Sequence, residues 1–355
     1  MPRLELFLIS SLLSDLSFSR VQCSRLWRSA CWQPLREGVA GRGACGHLHG
    51  MKIASFAPLK ITVFLSLSLG LLAWLSMPIS AHKAPDFEVE SKRHSPVISP
   101  TVPMDLSLFN ELVPLDRLGV RESLDRELIV NTYRHSSTIL YLKRAARWFP
   151  IMEPILKEEG VPSDFKYLAV IESGLSQVVS PAGAAGFWQF MRKTAPEYGL
   201  EVTSSVDERY NVALATRAAC QYLKEAHEKF GSWVLAAASY NMGQSGVTHA
   251  LNAQLVDNYW DLHLNAETGR YVYRMLALRE VMEHPERFGF HLGMSDVYAP
   301  LEGLNFTVSA SIDDLASFSL DHGTTLRELK VLNPWLRKDH LEVRTGHSYT
   351  LRIPA

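Results

Sequence analysis

The segment Pro162-Ser163-Asp164-Phe165-Lys166-Tyr167-Leu168-Ala169-Val170-Ile171-Glu172-Ser173-Gly174 has the punctuation of a short helix. Ser163 is suited to cap its start, and Gly174 to end it in a left-handed turn. Phe165, Leu168, Ala169 and Glu172 recur at i, i+3, i+4 and i+7, so the spacing predicts that the acid continues an apolar stripe. A carboxyl in that position is costly when ionised. Desolvation raises its pKa above the ordinary value of about 4.3 and keeps it protonated near neutrality, as a proton donor requires. The plainer reading of Glu172 is a helix-end carboxylate swung out to water.

Downstream lies Ser180-Pro181-Ala182-Gly183-Ala184-Ala185-Gly186-Phe187-Trp188-Gln189-Phe190, a small-residue loop that lets another chain approach closely. It delivers an amide, Gln189, between aromatic rings. Such surfaces suit sugars, whose C–H faces pack on rings while hydroxyls and acetamido groups pair with amides; the alternative is a buried turn with Trp188 in the core. Farther on, Trp233, Ala237 and Tyr240 share one side of a helix that ends at Asn241-Met242-Gly243. A tyrosine there is more often a packing residue whose hydroxyl finds a partner.

Around these motifs helical periodicity dominates, at 139–149, 151–159, 164–173, 209–230, 233–242 and 269–282. In the fourth of these Leu214, Ala218, Tyr222, Ala226 and Phe230 recur every fourth residue and are read as its core face. One mostly α domain is expected over residues 104–290. Beyond residue 300 two short alternating runs, 305–310 and 348–353, flank a helical pattern at 325–332, which predicts a small β-α-β module over 300–355 forming a separate accessory domain.

The chain begins differently. Residues 1–50 hold Cys23, Cys31 and Cys45 without sustained periodicity and are read as an upstream extension preceding an initiator at Met51. From there Lys52 and Lys60, an apolar run over 61–75 and the small residues Ser80-Ala81 form a secretory signal, 51–81. It is either cleaved after Ala81 or retained as an anchor, since 61–79 approaches the roughly 20 residues that span a bilayer. Residues 82–103, rich in Pro, Ser and charge, form a linker to the folded part. On this reading Cys220 alone survives in the mature chain, so no internal disulfide forms.

Lys plus Arg (36) nearly cancel Asp plus Glu (37), which excludes the broad basic surface that nucleic acid demands. Histidines are scattered without ligand spacing, so neither metal nor cofactor is expected.

Taken together, Ile171-Glu172-Ser173-Gly174, Gly186-Phe187-Trp188-Gln189-Phe190, Ser239-Tyr240-Asn241-Met242-Gly243 and Glu267-Thr268-Gly269-Arg270-Tyr271-Val272 resemble, in order, the motifs of family 1 lytic transglycosylases, nearest the membrane-bound type D. The likeness covers roughly residues 120–285. It departs at Ser239, where alanine is usual, and at Phe187-Trp188, where Leu-Met or Leu-Trp is usual. It implies a mainly α, lysozyme-like fold of the goose-type or SLT kind, with a groove across it. The C-terminal residues are similar to a degenerate LysM glycan-binding domain, which makes the module α+β and either a binder or an appendage.

The resemblance also implies a chemistry. Most glycosidases use two carboxylates, whereas the motifs offer one, with Glu197, Asp207 and Glu208 read as surface or cap residues. Glu172 would protonate the bond between N-acetylmuramic acid and N-acetylglucosamine, then deprotonate the muramic 6-hydroxyl, which closes on C1 as a 1,6-anhydro end. Ser173 would orient the Glu172 carboxyl; Gln189, Phe190, Tyr240, Asn241, Glu267 and Tyr271 would bind substrate. The plainer reading of Glu267 and Tyr271 is a helix-end charge and a core aromatic. The expected setting is the periplasm or cell envelope, with peptidoglycan strands as partner, a membrane tether and a monomeric enzyme. A goose-type lysozyme, which adds water, and an inactive glycan-binding scaffold are the rival readings.

Overall fold

The computed structural model describes residues 97–355. The upstream extension (1–50), the signal (51–81) and the linker as far as residue 96 lie outside the described residues.

The described chain opens with a hairpin, β1 (Ser107–Leu108) and β2 (Glu111–Leu112), turned by Phe109 and Asn110 at φ 56° and 64°. Positive φ at both central residues matches the twist of a two-residue hairpin. The turn is anchored rather than free: the Phe109 ring stacks on Phe165 at 4.1 Å, and its N–H donates to Asp164 Oδ2 at 2.9 Å.

Seven helices follow: α1 (Val120–Tyr133), α2 (His135–Glu158), α3 (Lys166–Ser173), α4 (Val212–Phe230), α5 (Trp233–Met242), α6 (Gln244–Gln254) and α7 (Thr268–Glu283). α5 is the centre, because Val234 through Asn241 are all buried. A helix apolar on every side can only be stable inside, and its run of alanines lets α4, α6 and α7 close around it. α1 lies along α7, and α2 against α4.

Several expectations are corrected here. The patterns at 139–149 and 151–159 are one helix, α2, which runs through Pro150 and Pro154. Each proline forfeits one i→i−4 bond, and burial of Ala145, Met152, Ile155 and Leu156 on both sides offsets the loss. Ser163 does not cap α3; it begins a 3₁₀ turn, Ser163–Phe165, that leads into the helix without a side-chain cap. On α4 the middle of the expected row, Ala218, Tyr222 and Ala226, is buried, whereas Leu214 at one end is 38% exposed and Phe230 at the other is half-buried. A strict every-fourth row turns about 40° per step around the helix axis, so its two ends drift off the buried face. Asn211 caps this helix, accepting from Leu214 N at 3.2 Å. Cys220, on α4, is a buried free thiol.

The C-terminal piece has two helices, not one, between its strands: β3 (Leu304–Val308), α8 (Leu315–Asp321), α9 (Leu326–Leu332) and β4 (Tyr349–Ile353). The strands pair antiparallel, Leu304 opposite Ile353 through Val308 opposite Tyr349. Thr325 and Glu328 form a capping box at α9. Its core includes Val308, Leu315, Leu329, Trp335, Leu336, Leu341 and Leu351, but also Ala185, Val206 and Tyr210 from the helical part. The module expected to stand apart therefore shares a core with its neighbour.

Candidate active site

Glu172 is the penultimate residue of α3, held where the helix stops at Gly174 in the left-handed region (φ 58°). A Cβ at Gly174 would come within 2.7 Å of the Tyr141 ring, so the stop is fixed by packing as well as by φ. Glu172 is 8% exposed. Its Oε1 accepts a hydrogen bond from the Tyr271 hydroxyl on α7, while Oε2 has no partner among the described residues. Burial pushes its pKa up to about 8; the Tyr271 bond and the charge of Arg274 pull it down, and the charge of Glu267 raises it. The group is thus an acid at neutral pH with one oxygen steadied and the other buried without a partner.

Tyr240 lies on α5 within electrostatic reach of Glu172. Burial and that neighbouring charge hold the hydroxyls of Tyr240 and Tyr271 well above their ordinary pKa, so both remain donors. Tyr240 donates to the Trp188 carbonyl at 2.8 Å. Asn241, next on α5, is 5% exposed, and its Oδ1 accepts from Thr268 Oγ1 at 2.8 Å, at the start of α7. Glu267 precedes that helix.

The loop 180–190 reaches this cluster by tight local bonding. Ala184 N donates to Ser180 Oγ at 3.0 Å, and Ser180 N to the Ala184 carbonyl at 2.8 Å. Gly186 is required by space: at φ 77° a Cβ would fall 1.9 Å from the Arg209 carbonyl. Gln189 takes φ 49°, uncommon for a residue with a side chain. Its amide Nε2 donates to the carbonyls of Gly186 (2.7 Å) and Val178 (3.2 Å). Phe190, 4% exposed, faces Tyr198 and Tyr240 with ring centroids 6.0 and 6.3 Å away.

The structure thus brings Glu172, Tyr240 and Tyr271 together, with Glu267 in electrostatic reach; Phe190 joins through its ring contact with Tyr240, and Gln189 only as the neighbour of Trp188, whose carbonyl Tyr240 bonds. One expectation fails. The Ser173 hydroxyl donates to the Ala169 carbonyl of its own helix at 3.0 Å, and the bond expected from it to Glu172 is made by Tyr271. Of the two readings of Trp188, the core one holds: it is fully buried, with Nε1 donating to Thr216 at 2.9 Å. Asp207 does cap a turn, as read, but is buried with Arg209, to which both its oxygens bond at 2.9 and 2.7 Å. Sequence reasoning missed Thr268, Arg209 and Arg274. Thr268 sits beside Glu267 in a motif already singled out; the other two carry no local signal.

Residues 149–261 match the family described as Transglycosylase SLT domain, and residues 305–355 match Soluble lytic transglycosylase C-terminal LysM-like domain. Membrane-bound lytic murein transglycosylase D of Escherichia coli is 28% identical over 238 residues, 65% of this chain and 51% of that protein. A putative tributyltin chloride resistance protein of Alteromonas sp. is 28% identical over 114 residues, 31% of this chain and 55% of that one. An inactive mutant of the lytic transglycosylase Slt from Pseudomonas aeruginosa, a solved structure, aligns at 22% identity with a TM-score of 0.31, covering 42% of this chain and 26% of that chain. The chain spans about half the length of the curated relatives it matches.

Proposed function

We infer that this chain, which carries a transglycosylase SLT domain and a LysM-like C-terminal domain, is a peptidoglycan lytic transglycosylase with Glu172 as its single general acid and base. One observation carries the reading: a buried carboxyl, protonated at neutral pH, has one oxygen held by Tyr271 and the other unpartnered.

In the first step Glu172 gives its proton to the oxygen linking N-acetylmuramic acid to N-acetylglucosamine, and the C1–O4 bond breaks. The resulting carboxylate is stabilised by the Tyr271 hydroxyl and the Arg274 charge, both of which favour the ionised form. In the second step it takes the proton of the muramic 6-hydroxyl while O6 bonds to C1, giving a 1,6-anhydro end with no water consumed. A nucleophile already tethered to the sugar supplies effective molarity in place of a second catalytic group. Tyr240, Asn241, Gln189 and Phe190 line the sugar's position, with Glu267 beside them; Ser173, bonded to its own helix, contributes through the backbone turn alone.

The same reading assigns residues 104–290 to catalysis and 300–355 to the module. It has the chain act as a monomer in the periplasm or cell envelope, on peptidoglycan strands. Among the described residues no helix is long and apolar enough to cross a membrane.

Mass spectrometry of products from purified sacculi tests the reaction. The expected muropeptides are lighter by one water than those a lysozyme releases; hydrated ends would make the chain a hydrolase, and no product at all would leave a scaffold.

A further inference from the structure

Ala185 lies within the loop that carries Gln189, yet it is fully buried in the C-terminal cluster with Val206, Tyr210, Trp335, Leu336 and Leu351. Segment 205–210 is the layer between. On its outer side the backbone is stitched to the module: Asp207 N donates to the Trp335 carbonyl at 2.9 Å and Arg337 N to the Ser205 carbonyl at 2.8 Å. The Arg337 guanidinium lies 4.1 Å from the centre of the Tyr210 ring, and the Tyr349 hydroxyl donates to Glu201 Oε2 at 2.8 Å.

On its inner side the same segment holds the site. Arg209 spends Nε and Nη2 on Asp207, and its Nη1 donates to the carbonyls of Gly183 (2.9 Å) and Phe190 (3.0 Å), near the two ends of the loop. The Tyr210 carbonyl accepts from Gln177 Nε2 at 2.8 Å, five residues past Glu172. The Asp207–Arg209 pair is 5% exposed on both sides. A buried pair tolerates little displacement, because any unmade bond leaves a desolvated charge. A shift of 205–210 is therefore passed to the loop instead of being absorbed.

We propose that the C-terminal module is a positioning element for the active site, acting through segment 205–210 and the Arg209 clamp on loop 180–190, so that it governs turnover and not only any affinity for glycan. The proposal rests on the reading of Glu172 as the catalytic acid.

The test uses the full chain with Arg337→Ala combined with Tyr349→Phe; Arg337 is exposed, and both contacts lie outside the helical core. On soluble, uncross-linked glycan strands kcat falls roughly tenfold, since small misplacements of a reacting geometry have costs of that size. KM and pelleting with sacculi stay within about twofold of the parent, as catalysis and uniform binding are read separately. Leu336→Ala, which hollows the shared core, lowers kcat in the same direction. An unchanged kcat, or a loss confined to KM and pelleting, would overturn the proposal. Hydrogen exchange at amides 183–190 reads the clamp without activity: faster exchange in the double variant supports the coupling even if the parent forms no anhydro product, and unchanged protection overturns it.

Discussion

Glu172 sets opposite demands on chemistry and on stability. Its pKa in the folded chain, about 8, lies above that of the unfolded chain, so its contribution to stability is complete below the ordinary carboxylate range and is lost as pH rises toward 8. Glu172→Gln keeps the shape and removes the ionisation. It is expected to abolish anhydro-muropeptide release while raising stability above pH 8 by about 1–2 kcal/mol, seen as a higher melting temperature at pH 9 but not at pH 4. A variant keeping a few per cent of turnover would remove Glu172 from its role. Tyr271→Phe tests the partner. Without the hydroxyl the carboxylate loses a stabilising bond, so the Glu172 pKa climbs further. The pH–rate profile, expected in the parent to fall above pH 8, then shifts its falling limb to higher pH and loses height, because the base needed in the second step is harder to form. An unshifted limb would mean that another group titrates.

At the scale of elements, what could be read in advance was whatever a side chain announces locally. Gly174 marks the end of α3 through a conformation few other residues adopt, and the stripe Phe165, Leu168, Ala169, Glu172 is buried as its spacing implies. α1 carries no clear apolar stripe because its inward face includes Glu127, Asn131 and Thr132: Asn131 and Thr132 are satisfied by the Glu127 and Leu128 carbonyls of their own helix, at 2.8 and 2.7 Å, whereas Glu127 depends on the distant Arg270, bonded to it at 2.6 Å. Trp188 was ambiguous for a similar reason: the threonine that satisfies its indole lies 28 residues away. The capping of α5 shows how such remote contacts support the site. Ser232 Oγ accepts from Leu235 N at 3.3 Å and donates to Glu111 Oε2 at 2.8 Å, while Glu111 Oε1 accepts from Trp233 N at 2.7 Å. Ser232→Ala is expected to cost about 1 kcal/mol in urea unfolding, with kcat little changed because Tyr240 and Asn241 sit at the helix's far end. Gly186→Ala is the severe case. It places a Cβ at positive φ against a backbone carbonyl that cannot move aside, and a loss of about 3 kcal/mol or more is expected. Parent-like stability would mean that the loop can leave Arg209.

For the whole molecule, the change from helical periodicity to short alternating runs near residue 300 correctly marks a change of architecture, but says nothing about whether the two parts stand apart. Period is a local property, whereas the burial of Ala185, Val206 and Tyr210 among C-terminal side chains is decided by surfaces far apart in sequence. Two domains joined only by a linker unfold independently; two that share a core unfold together, because opening the contact exposes apolar area on each side. Heating the full chain is accordingly expected to give one calorimetric transition whose van't Hoff and calorimetric enthalpies agree. Leu336→Ala should destabilise it by about 2–4 kcal/mol, the usual range for emptying a buried leucine site, and move that single transition as a unit, with near-ultraviolet signals from both parts falling at the same temperature. Two resolved transitions, of which only the smaller responds to Leu336→Ala, would show that the module folds on its own and that its contact with segment 205–210 is incidental to the stability of the catalytic part.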